Sequence, residues 1–501
     1  MTAISTAFLS RFRSRTLCAG LVALMAWSGP GVAQPVGIPS MGAASSVELS
    51  PALERTLGDA IMEQGRRDPT YVADPDVSQY LTDMGRKLAA HAPGGVNQRI
   101  TIFGVRDPQI NAFALPGGYI GVNSGLLVSA QSESELASVI AHEIGHVSQR
   151  HIARGMTQQE QSSHVVIAAL AGALLAALSG SSDLAMGVAA FGQAAAVDQQ
   201  LGFSRQAEQE ADRAGFEMLS KAGFDPRGMV RMFEQLGNAS RLNEGSGGGY
   251  TSTHPLSIQR MSDIQNRVAK LPNKPVPSSD SFWYVRAKLR VLQARSSVPL
   301  RNALDKLNFD ASKKAGVEQS AAWYGLAYAA WQKQDLTEAR RLLGLAQQHG
   351  NTSPEIATLA VAVALDGGNT SEALSLSQQA RSRWPNSQGV ALARTEALQK
   401  TGQDAPAAEL LAQLIKAWPE VPRFHQLQAQ SYERLGKSIQ ARRAMASYYE
   451  LTGALPAAVT QLEQARGLTK DFYEQSQLDV RIRTLKERLQ SDRQLLERFK
   501  S

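Results

Sequence analysis

Ala339, Ala373, Ala407 and Ala441 recur at intervals of 34 residues, and Pro385 and Pro419 are separated by the same 34. A period of this length means that one supersecondary unit, too small to bury its own apolar face, is stacked on copies of itself. The small residue lets two helices cross closely. The proline, which cannot continue a helix, follows the end of the second helix of each unit. Individual units are imperfect: Leu414 stands where the third unit would have Ala, and Gly453 where the fourth would have Pro. Ala458 and Ala465 point to a further degenerate unit, and Arg481 to Lys500 reads as a charged helix that caps the stack. A plain bundle of long helices gives no reason for four alanines in phase. The second half is therefore expected to be an all-α solenoid over 282–501, presenting a surface to clients or a partner complex and leaving chemistry to the rest of the chain.

That chemistry is announced by His142-Glu143-Ile144-Gly145-His146. Residues four apart on a helix return to nearly the same face, so both imidazoles can reach one ion, with Glu143 beside it. This is the H-E-x-x-H arrangement of zinc hydrolases, in which the glutamate acts as general base toward the attacking water. The competing reading is two ordinary helix residues, since Ser134 to Ala141 predicts a helix with or without metal. A third ligand decides between them. Glu208 and Asp212 lie four apart in Ser204-Arg205-Gln206-Ala207-Glu208-Gln209-Glu210-Ala211-Asp212, so one carboxylate can bind the metal while the other orients a ligand imidazole. In isolation this stretch would read as a solvated acidic face interleaved with Arg205 and Arg213. After an H-E-x-x-H, Glu208 is preferred over Glu210 as the ligand.

These stretches resemble the M48 zinc metalloproteases. Two more carry the resemblance: Asn111 to Ile120 followed by Asn123 to Leu127, similar to the strand before the metal helix in soluble members, and Thr253-His254-Pro255 with Arg260 six residues after the histidine. The four stretches stand in the family's order and span 111–260. The resemblance implies an α+β zincin-like protease domain over 34–270, so that the whole chain is mainly α with a small β-sheet. It implies one Zn²⁺ per chain on His142, His146 and Glu208, with Glu143 as base and then proton donor to the leaving amine. Asp212 would orient a ligand histidine. For His254 it offers two roles: donating with Arg260 to the oxyanion, or occupying the fourth metal position in a resting, self-inhibited state.

The residues between these motifs have readings of their own. Arg99 to Val105 alternates apolar and polar, and Ile110 to Val122 is a second β-like run broken by Pro116-Gly117-Gly118, predicting a short strand pair with a turn. An edge strand beside the metal could hold an extended peptide by adding it to the sheet. Glu244 to Gly249 is a glycine-rich run that predicts a mobile loop just before His254. Val165 to Leu178 and Leu184 to Val197 are Ala-rich apolar stretches, each shorter than the roughly 20 residues of a membrane span. They read as helices packed on the protease core, or as a lid whose exposed face touches a client or the membrane surface.

Arg11, Arg13 and Arg15, the apolar run Leu17 to Trp27 and the small residues Gly31-Val32-Ala33 form a cleavable export signal over 1–33. Its removal takes away three arginines and no acid, so the formal charge falls from +7 to +4. That is not a nucleic-acid footprint. The single cysteine, Cys18, leaves with the signal. Leu271 to Ser279 is proline-rich and predicts a linker over 271–281. Beyond it, Trp323, Leu326 and Ala346, then Ala380, Tyr432 and Gly436, fall where a tetratricopeptide repeat places its packing residues.

An exported M48 protease with such repeats resembles family members of the Gram-negative periplasm that serve in quality control of the outer membrane. The resemblance implies unfolded or stalled β-barrel precursors as substrates and the barrel-assembly machinery as partner of the repeats. Stalled precursors expose unpaired strands that an edge strand and a solenoid can hold. The rival reading is a chaperone or scaffold whose proteolytic centre is mostly silent; prenyl-protein processing is disfavoured because the spans expected of those enzymes are missing.

Overall fold

The alternation around residues 99–122 closes into a sheet of three strands, Thr101–Val105 (β1), Ala112–Leu115 (β2) and Tyr119–Asn123 (β3), in the order β1-β3-β2. The computed structural model describes residues 50–93, 100–158, 203–242, 249–272 and 274–497. β2 and β3 form the expected antiparallel pair, with Ala112 opposite Val122 and Leu115 opposite Tyr119, joined by the turn Pro116–Gly118. β1 runs parallel to β3, with Ile102 beside Ile120. Successive side chains of a strand point to opposite faces. Phe103, Val105, Phe113 and Leu115 accordingly pack on Leu53, Leu57, Ile61 and Met62 of helix α1, Pro51–Gly65. Ile102, Ala112, Ala114, Ile120 and Val122 face the other way and join Val77, Leu81 and Leu88 of α2, Pro75–Ala89.

After the short α3, Ser124–Ser129, comes α4, Glu133–Ser148, which lies in this second core and is buried at every position from Ser134 to Val147. Its start is set by Ser132, whose hydroxyl accepts from the Glu135 amide, one of the donors that a helix leaves unpaired. The described protease half continues with α5, His151–Gln158; α6, Arg205–Lys221; α7, Arg227–Leu242; α8, Tyr250–Thr253; and α9, Ile258–Ala269.

The 34-residue period is visible in the helices themselves. Pro354–Asp366, Gln388–Lys400 and Pro422–Arg434 begin 34 residues apart, as do their partners Thr370–Arg383, Asp404–Ala417 and Ser438–Leu451. Ala339, Ala373, Ala407 and Ala441 are all buried, and so is Leu414 in the unit that departs from the pattern. Gly368, Gly402 and Gly436 end the first helix of their units in the left-handed region, with φ of 74°, 73° and 70°; the unit before them uses Gln334 there, at φ 61°. The last helix, Phe472–Glu497, starts earlier than its charged sequence suggested and buries Leu478, Ile482 and Leu485 on Leu455–Leu468.

All described residues belong to one compact unit, Ser45–Ser501. Helix α10, Asp280–Leu292, belongs to two cores: Phe282, Val285 and Leu289 pack with the protease, while Tyr284, Ala287 and Val291 pack with the repeats. From α10, the buried ammonium of Lys288 reaches Asp74 Oδ2 at 2.9 Å and Asp76 Oδ2 at 2.7 Å, at the start of α2. Gln79 of α2 bonds both the Asn386 carbonyl and the Gln388 amide of a repeat, each at 2.8 Å. At the far end of the stack, Arg488 pairs with Glu63 of α1. No helix among the described residues is long and apolar enough to cross a membrane. The export signal 1–33, the apolar segment 165–197 and residues 244–248 of the glycine-rich run lie outside the described residues.

Removing one partner of a buried ion cluster strands the others, at a cost of about 3–5 kcal/mol. Lys288→Ala is therefore expected to lower the unfolding free energy by about that amount in urea titrations. Arg341→Ala, which removes a solvent-exposed pair with Glu338, is expected to leave the midpoint unchanged.

Candidate metal centre

Helices α4 and α6 cross closely because small residues meet at the crossing. A Cβ added to Gly145 would sit 3.0 Å from the Ala211 backbone, and one added to Gly215 would sit 3.2 Å from the His142 nitrogen. This contact delivers Glu208, on the first turn of α6, to the two histidines of α4. Ser204 caps α6 by accepting from the Ala207 amide. The third element, α8, ends at His254, whose own amide bonds back to Tyr250 O at 2.8 Å.

The structure brings His142, His146, Glu208 and His254 to one point, with one donor atom from each inside a 4.8 Å cluster, and all four are buried. His142 Nε2 lies 2.9 Å from His146 Nε2 and 3.4 Å from His254 Nδ1. Glu208 Oε2 lies 3.4 Å from His142 Nε2, and Oε1 lies 3.4 Å from His146 Nε2 and 2.9 Å from His254 Nδ1. Tetrahedral zinc with bonds of about 2.0–2.1 Å requires donors about 3.3–3.4 Å apart; three of these separations match and the two of 2.9 Å are shorter, while the donor set itself, imidazoles with a carboxylate, is of the kind that holds zinc. Glu143 lies beside the cluster: its Oε1 is 3.6 Å from Nε2 of His254, the ring nitrogen opposite the one that meets Glu208, and both its oxygens are buried without a hydrogen-bond partner.

Electrostatics favour a cation here. Burial would lower the His142 imidazole, but its bonds to Asp212 and Glu208 push it up to about 9. His254 is likewise raised against the effect of burial, by Glu143 and Glu208. Burial would raise the Glu208 carboxyl, yet the three imidazoles hold it far below the usual carboxylate range. Burial pushes Glu143 upward and His146 well downward. His142 and His254 are thus held toward their protonated forms and Glu208 toward its ionised form, a positive charge against a carboxylate that a divalent ion would supply in their place.

Asp212 and Arg260 hold the ligands from behind. Asp212 Oδ1 lies 2.9 Å from His142 Nδ1, which fixes the ring so that Nε2 faces the centre. Arg260 grips Asp212 through two bonds of 2.7 and 2.8 Å, reaches Glu208 Oε2 at 2.6 Å and donates to the Pro255 carbonyl at 2.9 Å. Its guanidinium is thus engaged with the carboxylates and with the His254-Pro255 segment. Tyr250 stacks on His254 with ring centres 4.5 Å apart, and Phe203 stacks on His146 at 3.9 Å. Phe203 and Tyr250 carried no sequence signal. His151, outside every motif read from the sequence, is buried with its Nδ1 2.9 Å from His146 Nδ1.

A buried H-E-x-x-H helix, a carboxylate from a second helix and a histidine from a third element define a metallopeptidase. The comparisons agree with the geometry: the model of peptidase family M48 matches residues 75–268, and a tetratricopeptide-repeat model matches residues 364–431. The chain is 34% identical to the beta-barrel assembly-enhancing protease of Yersinia pestis, over 92% of this chain and 93% of that one. The protein of the same name from Escherichia coli K12 is also 34% identical, over 92% of each. The metalloprotease LoiP of Escherichia coli K12 is 32% identical over 46% of this chain and 88% of its own. The chain belongs to peptidase family M48.

Overpacking a tight helix crossing typically costs about 1–3 kcal/mol. Gly145→Ala is expected to destabilise the protein by that order and to weaken metal retention, since it pushes Glu208 away from both histidines. Thermal unfolding and metal content after gel filtration read the two effects.

Proposed function

We propose that this chain is a zinc endopeptidase of the periplasm that degrades misfolded or stalled outer-membrane β-barrel precursors and assists barrel assembly. The observation that carries it is the convergence of four buried ligands beside an unpartnered Glu143, in a chain similar over nearly its whole length to proteases named for β-barrel assembly. A compact set of imidazole and carboxylate donors suits zinc. His142, His146 and Glu208 would hold it, and Asp212, itself held by Arg260, orients His142. When bound, zinc supplies a Lewis acid that polarises the scissile carbonyl and acidifies water. Glu143 takes the proton of the attacking water and returns it to the leaving amine. His254, through Nδ1, would complete the set of groups that hold the metal, and in that case the protease rests until the 250–255 segment withdraws.

β2, next to α4, is an edge of the sheet among the described residues, the position at which an extended substrate would add as a further strand. The repeats hold the client or the barrel-assembly machinery. In this reading residues 1–33 are the export signal, 34–270 the protease, 271–281 the connection and 282–501 the repeat domain. A mostly non-proteolytic scaffold is the second reading, favoured by the same His254 that closes the centre.

Glu143→Gln is expected to fold and retain one zinc per chain while hydrolysis of an unfolded β-barrel precursor falls by about 10²–10⁴-fold or more. Cleavage by a zinc-depleted protein would overturn the mechanism. His254→Ala is expected to cleave the same precursor at least about tenfold faster, the equivalent of removing 1.4 kcal/mol of competing ligation. If it stays inert at saturating zinc, the scaffold reading replaces the protease.

A further inference from the structure

Among the described residues no carboxylate directly meets His146 Nδ1, the ring nitrogen away from the cluster. On the opposite ligand, His142, Asp212 meets Nδ1 directly at 2.9 Å. At His146 the same nitrogen meets His151 Nδ1 at 2.9 Å, and His151 Nε2 meets Glu210 Oε2 at 3.2 Å. Glu210 is held in turn by Arg154 Nη1 on Oε2 and Gln206 Nε2 on Oε1, both at 2.8 Å.

The backbone departs from regularity to make this contact. On a continuous helix His151 would sit five residues on, about 140° around the axis from His146. Instead α4 stops at Ser148 and α5 starts at His151, and between them Arg150 adopts φ 54°, one of two described non-glycine residues at positive φ. A side chain in that region is strained and persists only where its surroundings impose it. Arg150 Nη2 lies 3.3 Å from Glu54 Oε1 on α1, which holds the turn. The turn throws the His151 ring back onto His146, with ring centres 4.9 Å apart and planes at 76°.

We propose that His151 and Glu210 are positioning residues that fix the tautomer and ring angle of the ligand His146, acting as a relayed carboxylate. The inference rests on the metal reading above. The proton order is determined throughout: when His146 Nε2 ligates metal, its Nδ1–H donates to His151 Nδ1, so His151 carries its proton on Nε2 and donates it to Glu210. Glu210 thereby serves His146 as Asp212 serves His142.

The test is the zinc dissociation constant, measured by chelator competition on the full chain. His151→Phe keeps a ring of similar shape but cannot accept a hydrogen bond, whereas His151→Asn keeps an acceptor near the place of Nδ1 and loses ring packing. Zinc affinity is expected to fall about 10–100-fold in the Phe variant and to recover most of that loss in the Asn variant. Glu210→Gln, at a partly exposed position, is expected to weaken zinc binding in the same direction with unchanged thermal stability. If His151 serves packing alone, the Phe variant binds zinc as tightly as the wild type and the Asn variant does not, which overturns the proposal. Wild-type affinity in Glu210→Gln overturns the relay. Failure of the wild type itself to bind zinc would overturn the metal reading instead, and is seen before any variant is made.

Discussion

The crossing of α4 and α6 is the contact on which the site depends. Gly145, Ala211 and Gly215 let the two helices approach until a single Cβ would not fit without displacement, and only at that separation do Glu208 and Asp212 reach His142 and His146. Ridges and grooves formed by larger side chains would hold the axes about 8–10 Å apart. The apolar flank of α4 anchors it: Leu136, Val139, Ile140 and Ile144 sit in the same core as the sheet and α2. A polar centre buried this deeply therefore lies on a helix that the hydrophobic effect already holds, and the ligand groups are ordered before an ion arrives.

The buried polar groups of this centre are arranged in two layers of charge. Glu143 and Glu208 face the point where the imidazoles converge, while Asp212 and Glu210 stand behind the histidines, neutralised by Arg260 and by Arg154 respectively. Unpaired, a buried carboxylate such as Asp212 would cost several kcal/mol in a dry interior, whereas Glu210 is partly exposed. Arg260 carries particular weight because it also donates to the Pro255 carbonyl. The same guanidinium that steadies Asp212 and Glu208 thus tethers the segment bearing His254, so the position of His254 and the state of the carboxylates are mechanically linked.

Much of this was legible in the sequence where periodicity alone carries the information. The i, i+4 pairs His142 and His146, and Glu208 and Asp212, share helix faces whatever the tertiary structure. The 34-residue recurrence reports the repeat helices directly, and strands β2 and β3 are neighbours in sequence. Non-local facts were not legible. β1 pairs in parallel with β3 across an intervening strand, a register that no local signal encodes. His151 falls in no sequence motif, since a continuous helix would turn it about 140° from His146, and the left-handed Arg150, held from α1, brings it back. Arg260 had the expected spacing from His254, but its engagement with carboxylates 48 and 52 positions earlier depends on how α9 packs on α6. The proline-rich stretch before Asp280 read as a linker, and no local signal said that the helix after it divides its apolar residues between two cores.

That double duty of α10 bears on how the repeats and the metal centre work together. Two domains on a flexible linker share an effective concentration set by linker length. Here the helix after the connection is itself core, Lys288 is locked onto Asp74 and Asp76, Gln79 is stitched to 386–388, and the last helix returns to α1 through Arg488 and Glu63. The contacts fall at the start, the middle and the end of the repeat stack and land on α1, on α2 or on its N-cap Asp74, and the two helices cover opposite faces of the sheet. The repeat stack and the layer formed by the sheet and α4 are consequently held in one geometry, so a ligand of the repeats would stand in a fixed relation to the site and not at the end of a flexible tether.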